Sequence, residues 1–241
     1  MMTSRKRGFS PGEYPGGLVC LYVIAGVFLL ALPLLIRTPY FQHILILIFM
    51  YIALTCSWNI IGGYAGYASF GHVVFFAIGT YTTAILLVRF GWSPFLTALP
   101  AGVVAAVVAV IVLPSLKTRG AYFGIVTLAM SLVGQLVISN MPSLTGGGRG
   151  LMLPLPPWDV SVLKVPFYYA MLVTAAGAVL VSYIIKHSKF GLGLEMIRED
   201  EDKAEVVGIN TTFYKSLAFI IGAFFPGVVG GLHAYYMHYI S

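Results

Sequence analysis

Three short stretches of this sequence hold the residue types that could do chemistry. The first, from Asn59 to His72, reads NIIGGYAGYASFGH: four glycines, hydroxyl groups at Tyr64, Tyr67 and Ser69, an amide at Asn59 and an imidazole at His72, with no charge. Uncharged, glycine-rich backbone at membrane depth is tolerated where it is buried in protein or lines a cavity. Asn59, Gly62, Gly66, Ser69 and His72 are therefore candidates for lining a polar pathway, while the competing reading makes the glycines points of close helix approach. His72 reads either as a functional ionisable group within the membrane or as a neutral imidazole hydrogen-bonded to a neighbouring helix.

The second stretch, Leu144 to Gly150 (LTGGGRG), can present backbone N–H groups at Thr145, Gly146 and Gly147 to an anionic group such as a carboxylate; the alternative is a flexible turn. The third, Gly191 to Asn210, reads as a short helix. Glu195, Arg198, Glu199 and Asp202 recur on one side of it, with Asp200 between them, and Leu194, Ile197 and Val206 supply an apolar side. Gly208 ends it, as glycine commonly does past a helix C-terminus. A charge run is most often a solvated face, but in a chain with so little polar surface this is the one place for a cytoplasmic partner to grip. No P-loop, H-E-x-x-H, G-x-S-x-G or metal-spaced Cys/His cluster is present. The chain is thus expected to have no catalytic residue, metal site or cofactor of its own, and to borrow its energy from a partner or an ion.

The elements that position these stretches follow from composition. Hydrophobic residues make up 59% of the 241 residues and charged ones 9%, against roughly a quarter charged in a soluble domain, which excludes a water-soluble enzyme. No Asp, Glu, Lys or Arg occurs between Arg37 and Arg89; as one helix that stretch would run roughly 75 Å, so it folds into at least two spans. Apolar windows predict seven: Gly17 to Ile36, Phe41 to Ile61, His72 to Val88, Phe95 to Leu113, Ala121 to Ser139, Val165 to Ile185 and Ser216 to Ile240. The fold class is all-α, a single polytopic transmembrane domain over residues 1–241.

With the N-terminus in the cytoplasm, ten Lys and Arg fall inside and four outside, as the positive-inside rule asks. The net charge of +6 is read through that location, towards membrane lipid and away from nucleic acid. Arg5, Lys6 and Arg7 precede a first apolar run too long for a signal peptide, so an uncleaved span is expected. Residues 140–164, with Gly146 to Gly148 and Pro154, Pro156 and Pro157, are expected to form an ordered external loop or a short re-entrant element with little regular structure. Residues 186–215 hold six of the eight acidic residues and form the cytoplasmic loop. Cys20 and Cys56 lie in apolar stretches and behave as small hydrophobes; His43, His233 and His238 fall near span ends, at the interface.

The stretches Trp58 to Tyr81, Leu116 to Ala129 (LKTRGAYFGIVTLA), Thr145 to Leu151 and Gly191 to Gly231 resemble, in order, the LivM-type permease subunits of branched-chain amino acid ABC importers. The resemblance implies a bacterial inner-membrane subunit that pairs with a second, LivH-like permease, two cytoplasmic ATP-binding subunits and a periplasmic binding protein. It implies that residues 186–215 insert a coupling helix into a groove on the ATPase, at positions similar to the family's EAA-x-x-x-G loop. Ala204 and Gly208 keep that pattern, while Asp202 and Lys203 depart from it. The resemblance also implies further spans beyond Ser241. Two other readings stay open: a closely similar permease for urea or short-chain amides, and a stand-alone channel or ion-coupled carrier, which normally shows paired acids within its spans.

Overall fold

Proline and glycine punctuate the helices where a membrane helix accepts them. The computed structural model describes residues 16–35, 38–118, 120–147, 150–154 and 164–240. Its helices are α1 (Gly16–Leu35), α2 (Pro39–Asn59), α3 (His72–Phe90), α4 (Pro94–Val112), α5 (Ala121–Ser139), α6 (Pro142–Thr145), α7 (Val165–Lys186), α8 (Lys189–Glu199), α9 (Glu201–Val206) and α10 (Thr211–Met237). A π-helical turn (Ile60–Tyr64) follows α2, and a 3-10 turn (Leu113–Lys117) follows α4. Pro39 and Pro94 open α2 and α4, at the first position, where the missing N–H has no partner to lose. Gly91 closes α3 with φ 65°, its N–H donating to the Leu87 carbonyl at 3.0 Å.

Among the described residues, six helical stretches are long and apolar enough to cross a membrane: Pro39–Tyr64, His72–Phe90, Pro94–Lys117, Tyr122–Ser139, Val165–Lys186 and Thr211–Met237. They match six of the seven expected spans. The seventh expectation meets a 20-residue helix, α1, while Arg5 to Arg7, Ile36 and Arg37 lie outside the described residues. The last span needs correction, since α10 begins at Thr211 and not at Ser216. The Asn210 side chain accepts from the Phe213 N–H at 3.0 Å and so starts the helix a turn earlier than hydropathy shows.

α10 is the central helix. Of its apolar window 72% is buried, against 17% for Tyr122–Ser139, and it packs against α2, α3, α4 and α7. Lipid gives helices no hydrophobic reason to associate, so close packing of small residues must do it. A Cβ on Gly79 would sit 1.9 Å from the Gly227 carbonyl oxygen, one on Gly230 would sit 2.1 Å from that of Phe76, and one on Gly227 would sit 2.6 Å from Cβ of Ala105. Only glycine lets α3, α4 and α10 come this near.

The bundle has two unlike ends. At one, α8, α9, both irregular turns and the start of α10 gather over buried Ile60, Ile61, Phe123, Leu194, Ile197 and Phe219. At the other, α6 and a two-residue antiparallel ladder, β1 (Leu151–Met152) with β2 (Tyr239–Ile240), close over Phe49, Phe167, Tyr168 and Tyr235. Among its described residues the 140–164 stretch contains α6 and β1; Gly148, Arg149, Pro156 and Pro157 lie outside the described residues. Large apolar side chains such as Ile111, Leu96 and Val173 are about 70% exposed, at 73%, 71% and 69%, as lipid-facing positions are.

Candidate functional site

The glycine-rich stretch is shaped by the two side chains before it. In the π-helical turn the Trp58 ring lies where a Cβ on Gly62 would be, 2.7 Å away, and the Asn59 amide folds over Gly63 at 1.8 Å from such an atom. Trp58 Nε1–H donates to the Ser69 carbonyl at 2.8 Å, tying the turn to the loop that leaves it. Gly66 has φ +75°, and a Cβ there would meet Cγ of Arg198 at 2.9 Å. Gly62 and Gly63 thus make room for the side chains of their own preceding turn, whereas Gly66 makes room for Arg198 of the polar loop.

That loop is two helices, not one. Ser188 caps α8, its hydroxyl accepting from the Gly191 N–H at 3.1 Å. Asp200 then breaks the run with extended backbone, φ −162° and ψ 108°, and caps α9 by accepting from the Lys203 N–H at 3.1 Å. An ion pair to Lys203 at 2.8 Å adds to this. The Lys203 hydrogen bond holds the Asp200 carboxyl below its usual range, and the same bond raises Lys203. Leu194 and Ile197 are buried as expected, whereas Val206 is 88% exposed and Val207 69%. Val206 is thereby removed from the apolar side, because the break at Asp200 rotates α9 relative to α8. Glu195, Glu199 and Asp202 face outward, Ala204 is buried, and Gly208 takes φ +92° after α9.

The two stretches meet in a polar junction. Arg198 Nη1 donates to the Gly63 carbonyl at 2.8 Å. Lys215, the fifth residue of α10 and 4% exposed, is ion-paired with Glu201 and donates to the Leu116 carbonyl at 3.3 Å and to the Tyr67 hydroxyl at 3.2 Å. The Tyr67 hydroxyl donates in turn to the other carboxylate oxygen of Glu201, and the Lys215 ammonium stands 4.9 Å from the Tyr67 ring centroid. Four segments converge on one buried charge pair: the glycine-rich loop, the 3-10 turn, α9 and α10. Removed from water, such a pair persists only when its remaining hydrogen-bonding capacity is met, which Tyr67 and Leu116 do here.

The remaining expected site residues fall elsewhere. Ser69 is buried, its hydroxyl accepting from the Gly71 N–H at 3.3 Å. His72 opens α3 edge-on to Phe75 and Phe219. Neither of its nitrogens has a hydrogen-bond partner among the described residues, which corrects the reading of an imidazole bonded to a neighbouring helix. It borders an apolar cavity of about 480 Å³ with Trp58, Thr55 and Pro226. At the far end the Thr145 hydroxyl donates to the carbonyls of Ile138 and Met141 at 2.7 and 2.9 Å and accepts from Gly147 N–H at 3.2 Å. Gly146 and Gly147, φ 74° and 58°, complete this turn. The glycine-rich stretch leads into α3, and the Thr145 turn packs against α3 and α5, with Gly147 on the same cavity as Val73 and Tyr81. His43 pairs with the Tyr236 hydroxyl, a span-end contact.

A family model described as branched-chain amino acid transport system, permease component, matches residues 40–241 and so covers both halves of the junction. The chain belongs to this permease family. The high-affinity branched-chain amino acid transport system permease protein LivM of Salmonella typhimurium is 30% identical over 221 residues, 80% of this chain and 52% of the relative. LivM of Escherichia coli is 29% identical with the same coverage. The permease chain spans about half the length of these curated relatives, and no solved structure matches it.

Sequence reasoning missed Tyr67, Glu201 and Lys215. A signal was present for one of them: Lys215 is the single Asp, Glu, Lys or Arg in the 27 residues of α10, and a lone charge at the start of an apolar helix needs a partner.

Proposed function

We propose that this chain is a LivM-type permease subunit of an ABC importer that moves branched-chain amino acids across the bacterial inner membrane. It works with a second LivH-like permease, two cytoplasmic ATP-binding subunits and a periplasmic binding protein. The α8–α9 end faces the cytoplasm, with the N-terminus inside and α1 as a seventh span, and residues 140–164 face the periplasm. ATP is hydrolysed by the partners, and this chain contributes part of the pathway and the handle through which it is moved.

The observation that carries the reading is the junction. Among the described residues, the one strongly polar, outward-facing helical pair is bonded directly to the backbone of the glycine-rich stretch through Arg198 and, by way of Glu201, to Tyr67 and the central helix. Its outer surface combines the carboxylates of Glu195, Glu199 and Asp202 with exposed Leu192, Met196, Val206 and Val207, the mixture of anchors and charges that suits a protein partner. A partner that closes against this surface shifts α8 and α9, and the junction passes the shift to the segment that ends α2 and starts α3. Rigid-body transmission of this kind needs a docked helix and packing with two stable arrangements.

Reconstituting the full-length chain with its permease, ATPase and binding-protein partners tests the reading. Leucine uptake should require ATP and all partners, and the double charge reversal Glu199→Lys with Asp202→Lys should abolish uptake and loosen ATPase binding. Leucine uptake by this chain alone, or undiminished uptake in the double variant, would refute it.

A further inference from the structure

Along α5 every Ser, Thr and Gln falls on one line. Thr127, Ser131, Gln135 and Ser139 are spaced four apart, so they stack along one helix face. Exposing amide and hydroxyl groups to hydrocarbon is unfavourable, and the rest of α5 from Leu128 to Val137 is apolar or small apart from two of these four. The line faces α3 across a cavity of about 430 Å³. Its α3 wall carries Val73, Val74 and Ala77 with Tyr81 beyond them, and its α5 wall carries Ser131, Gln135 and Ser139 beside Leu132, Gly134 and Ile138.

The line also runs from the glycine-rich stretch to the Thr145 turn. At its inner end the Thr127 hydroxyl accepts from the Phe70 N–H at 3.1 Å and Ser131 donates to the Phe70 carbonyl at 3.2 Å, so it begins on the glycine-rich loop. At its outer end the cavity is bordered by Gly147 of the Thr145 turn. We propose that this track is a wall of the solute pathway, along which the polar end of a zwitterionic amino acid exchanges hydrogen bonds with Ser131, Gln135 and Ser139 while its aliphatic side chain slides on Val73, Val74 and Ala77.

The chemistry suits passage. All three α5 groups are neutral and can both donate and accept, so each serves an ammonium or a carboxylate without trapping it, and conduction needs several weak sites in series. The solute class rests on the permease reading above; the pathway itself does not.

Cysteine accessibility tests it in the complete transporter, with Cys20 and Cys56 replaced by alanine. Ser131→Cys, Gln135→Cys and Ser139→Cys are compared with Val133→Cys and Val137→Cys on the opposite face. A sulfonated, membrane-impermeant methanethiosulfonate is the probe. Because the thiolate is the reactive form and needs water, the three track positions should react at least about tenfold faster than the two controls, and leucine should slow the reaction at Gln135. Uniformly slow reaction would overturn the proposal, since the track would then be a packed helix interface or face lipid. Fast reaction that leucine leaves unchanged, in a transporter that takes up leucine, would place the solute route elsewhere and overturn it too. Leucine uptake measured alongside judges the cargo separately: without it the permease reading loses its substrate, while the labelling contrast still decides whether the track is a water-filled path.

Discussion

Lys215 shows how much one side chain can hold together. Its ammonium, with Glu201, links α10 to α9, to the 3-10 turn and to Tyr67. Lys215→Met leaves the Glu201 carboxylate buried without its counter-ion, and the expected loss of stability is about 3–5 kcal/mol. Replacing both partners, Lys215→Met with Glu201→Gln, should lose clearly less, because no charge is then stranded. Denaturant unfolding of the purified assembly in detergent measures both, and equal losses in the single and double variants would show that the pair matters only by its shape. At this scale the sequence was partly legible. The candidate coupling residues were recognisable as a charged run, and Arg198 does touch the pathway candidates. Tyr67 and Glu201 were not, and the lone charge of Lys215 did not name its partners, because these residues matter through contacts 14 to 148 positions apart.

Helices were the easiest elements to read, since apolar length and the need to satisfy backbone groups in lipid leave few choices. Where expectations slipped, a local polar group had intervened: Asn210 starts α10 early, and Asp200 splits the expected coupling helix into α8 and α9. Packing was less visible, because hydropathy does not say which glycine meets another backbone. Gly79→Ala drives a methyl group into the Gly227 carbonyl and should cost about 1–3 kcal/mol by forcing α3 from α10. By contrast Gly177, whose added Cβ would meet only a Phe225 ring atom at 3.6 Å, should accept alanine neutrally or gain up to about 1 kcal/mol of helix stability. Thermal unfolding of the two variants side by side checks the contrast; similar behaviour would mean that the α3–α10 contact is not tight.

For the molecule as a whole, the proposed coupling makes α8 and α9 a handle and the junction its attachment to the membrane body. Arg198 offers the cleanest access, since its exposed side chain can be shortened without opening the core, and its hydrogen bond reaches the Gly63 backbone directly. The most direct measurement is the number of leucine molecules moved per ATP hydrolysed by the reconstituted transporter carrying Arg198→Ala. If the handle acts through this bond, ATP hydrolysis stays near the unsubstituted rate with several-fold fewer leucines moved for each ATP. An unchanged ratio would contradict it, because motion of the handle would then reach the pathway without the bond that joins them.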